Sequence, residues 1–127
     1  MNISAAASAS GLPVKTVRYY ADIGLVDATA RSDAGYRNYD AGAVRKLAFV
    51  RRAREFGFSI EECRDLLGLY QDTERSSSEV KRIASDRLAQ IEAKQRELQV
   101  LRDELAHLVH TCRGDDRPDC PIIDYLA

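Results

Sequence analysis

Near its C-terminal end the chain reads Cys112-Arg113-Gly114-Asp115-Asp116-Arg117-Pro118-Asp119-Cys120-Pro121-Ile122-Ile123, two cysteines bracketing seven residues rich in Asp, Gly and Pro. Such a loop can fold back and bring both sulfurs together, as a disulfide, as a thiolate metal site, or as two unrelated side chains. In a cytosolic protein the disulfide is disfavoured at equilibrium, so metal binding or redox sensing leads. Two sulfurs without a Cys-x-x-Cys partner pair cannot build the four-ligand structural zinc site. Soft thiolates suit Cu(I) and similar monovalent ions such as Ag(I) or Au(I), and a d10 monovalent ion accepts two ligands in line. Asp115, Asp116 and Asp119 are hard donors, and we read them as turn residues. His110 offers a third nitrogen ligand, although a histidine at a helix end is more often a cap or a surface residue.

Pro121 can open a short helix over 121–126 with Asp119 as its cap. Cys120 then lies at the positive end of the helix dipole, which lowers a thiol pKa from its usual ~8.5 and favours an anionic bis-thiolate complex. Lys81 assists if a dimer brings it near. Cys63 falls among Ile60, Leu66 and Leu67 at helical spacing and reads as a small core residue with no chemistry.

A second group of residues suits a different chemistry. Lys15-Thr16-Val17-Arg18-Tyr19-Tyr20 is followed by Gly24-Leu25-Val26 and then by Arg31-Ser32-Asp33-Ala34-Gly35-Tyr36-Arg37-Asn38-Tyr39. Guanidinium groups pair with phosphate oxygens, while tyrosine packs on sugar and donates its hydroxyl, so the pattern fits a nucleic-acid backbone. Helix, short connection and basic aromatic turn read as a helix-turn-helix with a wing. Lys15, Thr16, Arg18 and Tyr19 fall within about one turn and share a face in the major groove, with Tyr20 beside them. Arg31, Tyr36, Arg37 and Tyr39 belong to the wing, and Arg54 adds a further phosphate contact. The plainer reading keeps Val14, Val17 and one tyrosine as core.

Composition agrees with this division. The 127 residues are 45% hydrophobic and 31% charged, as a small helix-rich protein requires. No apolar run reaches the ~18 residues that span a bilayer, and Met1-Asn2-Ile3-Ser4 lacks the basic flank of a signal peptide, so a cytoplasmic protein without membrane contact is expected. Net charge is −1. Residues 1–57 carry nine Lys/Arg against five Asp/Glu, whereas residues 58–127 carry ten against fifteen, so a basic head stands on an acidic body.

The elements that position these groups are helices. The spacing predicts helix one over 4–9, capped by Asn2 or Ser4. Helix two carries Pro13 in its first turn and runs to Ile23. A third spans 42–56 with Val44, Leu47, Val50 and Ala48 inward and Arg45, Lys46, Arg51, Arg52 and Arg54 outward. A fourth is opened by the capping-box sequence Ser59-Ile60-Glu61-Glu62 and reaches Leu69. After a polar break a long tract runs to His110, with Ala84, Ile91, Leu98 and Leu105 every seven residues and Val80, Leu101 and Leu108 on the neighbouring seam. Arg87 and Lys94 interrupt that seam. A rod of ~45 Å can hold two DNA heads about one helical turn apart, which favours a symmetric homodimer on a palindrome.

The head closely resembles the MerR family of bacterial transcription regulators in its Thr16-Val17-Arg18-Tyr19-Tyr20, Gly24-Leu25 and Arg31-x-x-x-Gly35-Tyr36-Arg37-x-Tyr39 blocks. The whole chain resembles the copper-responsive branch of that family through Cys112, Gly114, Asp115, Asp116, Cys120, Pro121, Ile122 and Ile123. The resemblance implies that Ser77, before Val80-Lys81, stands where sensors of divalent ions carry a third cysteine. It also implies that metal-loaded dimers bend and untwist a promoter so that RNA polymerase can engage it.

The expected fold class is mainly α: a winged helix-turn-helix DNA-binding head (1–70), a linker (71–77), a long antiparallel coiled-coil dimerisation helix (78–110), and a C-terminal metal-binding loop with a short helix (111–127). Expected partners are double-stranded promoter DNA, RNA polymerase and a second copy. The expected ligand is Cu(I), Ag(I) or Au(I), held by Cys112 and Cys120 with Ser77 and Lys81 nearby. A Zn(II) or other divalent-metal sensor using His110, and a redox regulator forming a Cys112–Cys120 disulfide, are the rivals. An enzyme is not expected, since neither Cys-x-x-Cys nor a nucleotide loop occurs.

Overall fold

A computed structural model describes all 127 residues, with six helices and one short hairpin in the order α1, α2, β1, β2, α3, α4, α5, α6. Helix α1 (Ile3–Ser10) is capped by Asn2, whose side chain accepts the Ala5 N–H, and Gly11 closes it at φ 80°, a conformation that favours glycine. Helix α2 (Val14–Asp22) begins one residue after Pro13, which is its N-cap at φ −63° and ψ 148°. The proline therefore precedes the helix instead of occupying its first turn. Val17, Tyr20 and Ala21 form the inward stripe of α2, leaving Lys15, Arg18 and Tyr19 exposed.

The wing is the antiparallel pair β1 (Ala30–Arg31) and β2 (Arg37–Asn38), in register Ala30 with Asn38 and Arg31 with Arg37. Its loop is held by Gly35 N–H donating to Ser32 O and Ser32 N–H to Tyr36 O, with Gly35 at φ 84°. Tyr39 N–H then donates to Met1 O at 2.7 Å, so the chain start lies beside the wing's exit.

Helix α3 (Ala41–Glu55) starts at Asp40, whose carboxylate accepts the Ala43 N–H. Its buried stripe is Ala43, Leu47, Val50 and Ala53, with Val44 and Ala48 only half-buried, a rotation of the inward face from the sequence expectation. Helix α4 (Ile60–Gln71) carries the full capping box between Ser59 and Glu62, as expected. The Ser59 N–H holds the Glu62 carboxyl below its ordinary value. Cys63 is fully buried, its thiol faces Phe58 O, and burial pushes its pKa up, which fits the core role.

Helix α5 runs without interruption from Ser77 to Thr111, one residue longer at each end than expected, so Ser77 is its first residue. The chain divides into two compact units, Met1–Arg87 and Leu88–Ala127. The first holds the core, in which Tyr39, Leu47, Val17 and Val50 are fully enclosed and Ile83 of α5 takes part. In the second, α6 (Pro121–Leu126) borders an apolar recess with Leu101, Leu105 and Leu108 of α5. Tyr125 donates its hydroxyl to the Glu104 carboxylate at 3.1 Å. Leu98, Leu101 and Leu105 are each more than half exposed in the single chain.

Among the arginines of the first unit that donate to backbone carbonyls, four serve the turns that follow α1, α2 and α3. Arg51 donates to Ser10 O at the end of α1, and Arg64 to Ile23 and Gly24 O after α2. Arg54 donates to Phe58 O and Arg87 to Phe56 O, both in the turn between α3 and α4. Ser10 O, Ile23 O and Phe56 O are acceptors at helix ends, and Gly24 O and Phe58 O lie in the turns that follow.

Candidate metal site and nucleic-acid interface

Cys112 follows the last turn of α5, and its N–H still donates to Leu108 O. Cys120 is the N-cap of α6, in extended backbone at φ −147° and ψ 112°, with Pro121 next. Between them Gly114 turns the chain at φ 65°, and the Asp115 carboxylate accepts the Arg117 N–H. Asp115 is therefore a turn residue. The fold-back brings Cys112 Sγ to 3.7 Å from Cys120 Sγ, both half-buried and both free thiols.

The cap of α6 is Cys120 itself and not Asp119. No side-chain cap bond of standard geometry closes at this helix start, but the N–H groups of Ile123 and Ile122 face the Cys120 sulfur. The Ile123 N–H is the largest influence holding the Cys120 thiol below its ordinary pKa, with Cys112 contributing as a donor. Hydrogen bonding to the anion favours thiolate, the form that binds soft metals.

The donor set fits a soft monovalent ion. A sulfur separation of 3.7 Å is far beyond the ~2.05 Å of a disulfide and short of the ~4.6 Å that two in-line metal–sulfur bonds of ~2.3 Å would span, a gap that small side-chain rotations close. The same separation would suit two corners of a tetrahedron, but no group of three or more His, Cys, Asp or Glu side chains gathers here or elsewhere in the chain. His110 lies in the last turn of α5 and does not complete a three-ligand cluster with the two sulfurs. Ser77 opens α5 and Lys81 lies one turn on, at the other end of that helix from Cys112.

The second set of candidate residues divides into two groups. Lys15, Arg18, Tyr19, Arg31 and Tyr36 are exposed, Tyr36 at 74%, and Thr16 is half-buried. Arg37 pairs with Asp22 at 2.9 Å and so ties the wing to α2, while Arg31 donates to Gly35 O within the wing. Two tyrosines read as surface residues are core. Tyr20 is 5% exposed because it shares the inward stripe of α2 with Val17, and Tyr39 is 0% exposed because the turn after β2 carries its ring inward. Burial raises both phenols above their ordinary pKa. Arg54 is exposed, yet it donates to Phe58 O at 2.6 Å and lies against the Tyr20 phenol, so its first role is internal. Sequence reasoning missed Arg51, Arg64 and Arg87 as caps, since the carbonyls they serve carry no side-chain signature.

A winged helix-turn-helix head and a long helix with an apolar face define a DNA-binding regulator, and the converging thiols are its candidate metal site. Similarity to known proteins makes the class specific. The sequence model described as MerR HTH family regulatory protein matches residues 1–69, and the one described as MerR, DNA binding matches residues 44–108. The chain belongs to the MerR family of helix-turn-helix regulators. It is 54% identical over 127 residues to the HTH-type transcriptional regulator HmrR of Rhizobium leguminosarum bv. viciae, covering 100% of this chain and 98% of that one. It is 44% identical to the HTH-type transcriptional regulator CueR of Salmonella typhimurium, covering 100% of this chain and 92% of that one. Among solved structures it matches the transcription regulator PbrR691 from Ralstonia metallidurans CH34 in complex with lead(II), with a TM-score of 0.82 and 33% identity, covering 100% of this chain and 99% of that chain. These are regulators and not enzymes, and no helix of this chain is long and apolar enough to cross a membrane.

Proposed function

We propose that this protein is a metal-responsive transcription activator that binds Cu(I), with Ag(I) and Au(I) as close substitutes, through Cys112 and Cys120. The carrying observation is the convergence of two thiols at 3.7 Å with no third His, Cys, Asp or Glu of the same chain beside them, and with Cys120 biased toward thiolate. Relatives named HmrR and CueR, and one named heavy metal-dependent transcription regulator 2, support a metal-responsive reading. The ion would supply a soft bridge between two thiolates and so fix the loop 112–120. The chain's own part is to hold α6 against α5 through Ile122, Leu126 and the Tyr125–Glu104 bond.

In this reading residues 1–70 bind DNA, 71–77 link, 78–110 dimerise as an antiparallel pair, and 111–127 sense metal, with Ser77 and Lys81 approaching the thiols from the second copy. The target is double-stranded promoter DNA, engaged jointly with RNA polymerase in the cytoplasm. Promoter distortion costs on the order of several kcal/mol, so metal must favour the distorting conformer over the resting one by a comparable differential. Genes of copper efflux or detoxification are the targets the family resemblance implies.

X-ray absorption on protein loaded under reducing conditions tests the site directly. Cu(I) with two sulfur ligands per ion is the expected result. Preferential uptake of Zn(II) with three or more ligands replaces this reading with a divalent sensor, and metal-free activation by mild oxidant replaces it with a redox regulator.

The DNA face has its own test. Arg18→Ala should weaken operator and non-specific DNA alike and reduce the slope of log affinity against log salt by about one unit, as expected for one lost phosphate contact. An unchanged slope removes Arg18 from the interface.

A further inference from the structure

Arg87 occupies a heptad position where an apolar residue would serve a helix seam, and the first compact unit ends at this residue. Its Nε donates to Phe56 O at 2.7 Å. Phe56 is the C-cap of α3, and Gly57 beside it turns at φ 82°. A Cβ added at Gly57 would run into the Arg87 guanidinium, so the two are in close apposition. In the same turn Arg54 donates to Phe58 O at 2.6 Å. The Arg87 charge also helps hold the Glu62 carboxyl low, after the larger influence of the Ser59 N–H, so the same guanidinium reaches the capping box that opens α4. Helix α4 in turn carries Arg64, whose two donors hold Ile23 and Gly24 O just after α2, the helix that presents Lys15, Arg18 and Tyr19.

One continuous set of contacts therefore runs from α5 through the 56–58 turn and α4 to the end of α2. Apolar packing can slide by small increments, but a bidentate-capable guanidinium on a backbone carbonyl has a defined partner and a defined direction. We propose that Arg87 is a positioning residue that couples the state of α5 to the DNA-reading helix α2 through the α3–α4 turn. The interruption of the heptad is then a polar point of engagement between the long helix and the head, one turn beyond the apolar contact of Ile83. This inference rests on the copper-responsive reading above for its transcriptional readout, but not for its structural one.

The test uses full-length protein carrying Arg87→Ala or Arg87→Lys, compared with the parent in operator affinity without metal, Cu(I) affinity by competition, and Cu(I)-dependent transcription in vitro. Both affinities should stay at parent values while induction falls by about fivefold or more in Arg87→Ala, the low end of ordinary coupling between two sites. Arg87→Lys should fall between, since an ammonium keeps the charge and loses the planar fork. In metal-free Arg87→Ala, amide exchange at Gly57 and Phe58 should accelerate while that in α1 does not. Parent-level induction in Arg87→Ala overturns the proposal, as does unchanged exchange at the turn. A loss of operator affinity in step with induction also overturns it, because Arg87 would then only brace the head. If Arg87→Ala does not fold, Arg87→Lys is measured in the same ways, and the same outcomes support or overturn the coupling. A parent protein that does not respond to Cu(I) counts against the copper reading, and amide exchange then decides for Arg87.

Discussion

Cys112→Ser and Cys120→Ser should each abolish Cu(I)-dependent transcription while leaving operator binding at the level of the metal-free parent. The reason lies in the donor count. The loop gathers two thiols and no third His, Cys, Asp or Glu, so loss of one sulfur leaves a single soft ligand and a hydroxyl that binds soft ions weakly. Cu(I) affinity should fall by more than about 100-fold, beyond what losing a residue that merely orients a ligand costs. Cys63→Ser is the matched control. Its thiol is fully buried in the first unit, so the substitution should lower stability and leave the copper response in place. Ser77→Cys should admit divalent ions if a second copy brings this residue to the thiols, since a third sulfur makes a trigonal site possible. A normal copper response from Cys120→Ser would end the two-thiolate assignment.

Leu98→Lys combined with Leu105→Lys should convert the protein to monomers in sedimentation. Both side chains are more than half exposed in the single chain, and they share a seven-residue repeat with Ala84 and Ile91. Burying a leucine is worth roughly 1.5 kcal/mol or more, so two from each of two copies contribute at least ~6 kcal/mol, a dissociation constant raised on the order of 10^4-fold when they are lost. Desolvating the introduced ammonium groups adds to that figure. A dimer of unchanged stability would show that another face of α5 carries the association.

Local signals in the sequence were the ones that translated into structure. Asn2 and the Ser59–Glu62 box cap helices because each acts on backbone three residues away. The wing followed from Gly35 between two basic segments, and the thiol pair from a loop whose Gly and Asp residues turn the chain back. Tertiary choices were less legible. Tyr20 and Tyr39 have the same composition as contact residues, and only the rotation of α2 and the exit direction of β2 place them in the core. Pro13 read as a first-turn residue, because proline is equally suited to the position immediately before a helix. Arg87 looked like a flaw in a helix seam until its partner was seen to be a main-chain carbonyl 31 positions away.

The arginine caps set a limit on how the head can vary. At positions 51, 54, 64 and 87 the guanidinium answers a carbonyl at a helix end or in the turn after it, and at 64 one side chain answers two. Lysine there would preserve the net charge and the count of basic residues, yet it could not reproduce a planar fork with fixed donor directions. Arg45 and Arg52, which line the outward side of α3, face no such demand. Two arginine populations with identical charge thus obey different rules of substitution, and a tally of basic residues overstates how many are available to attract a polyanion.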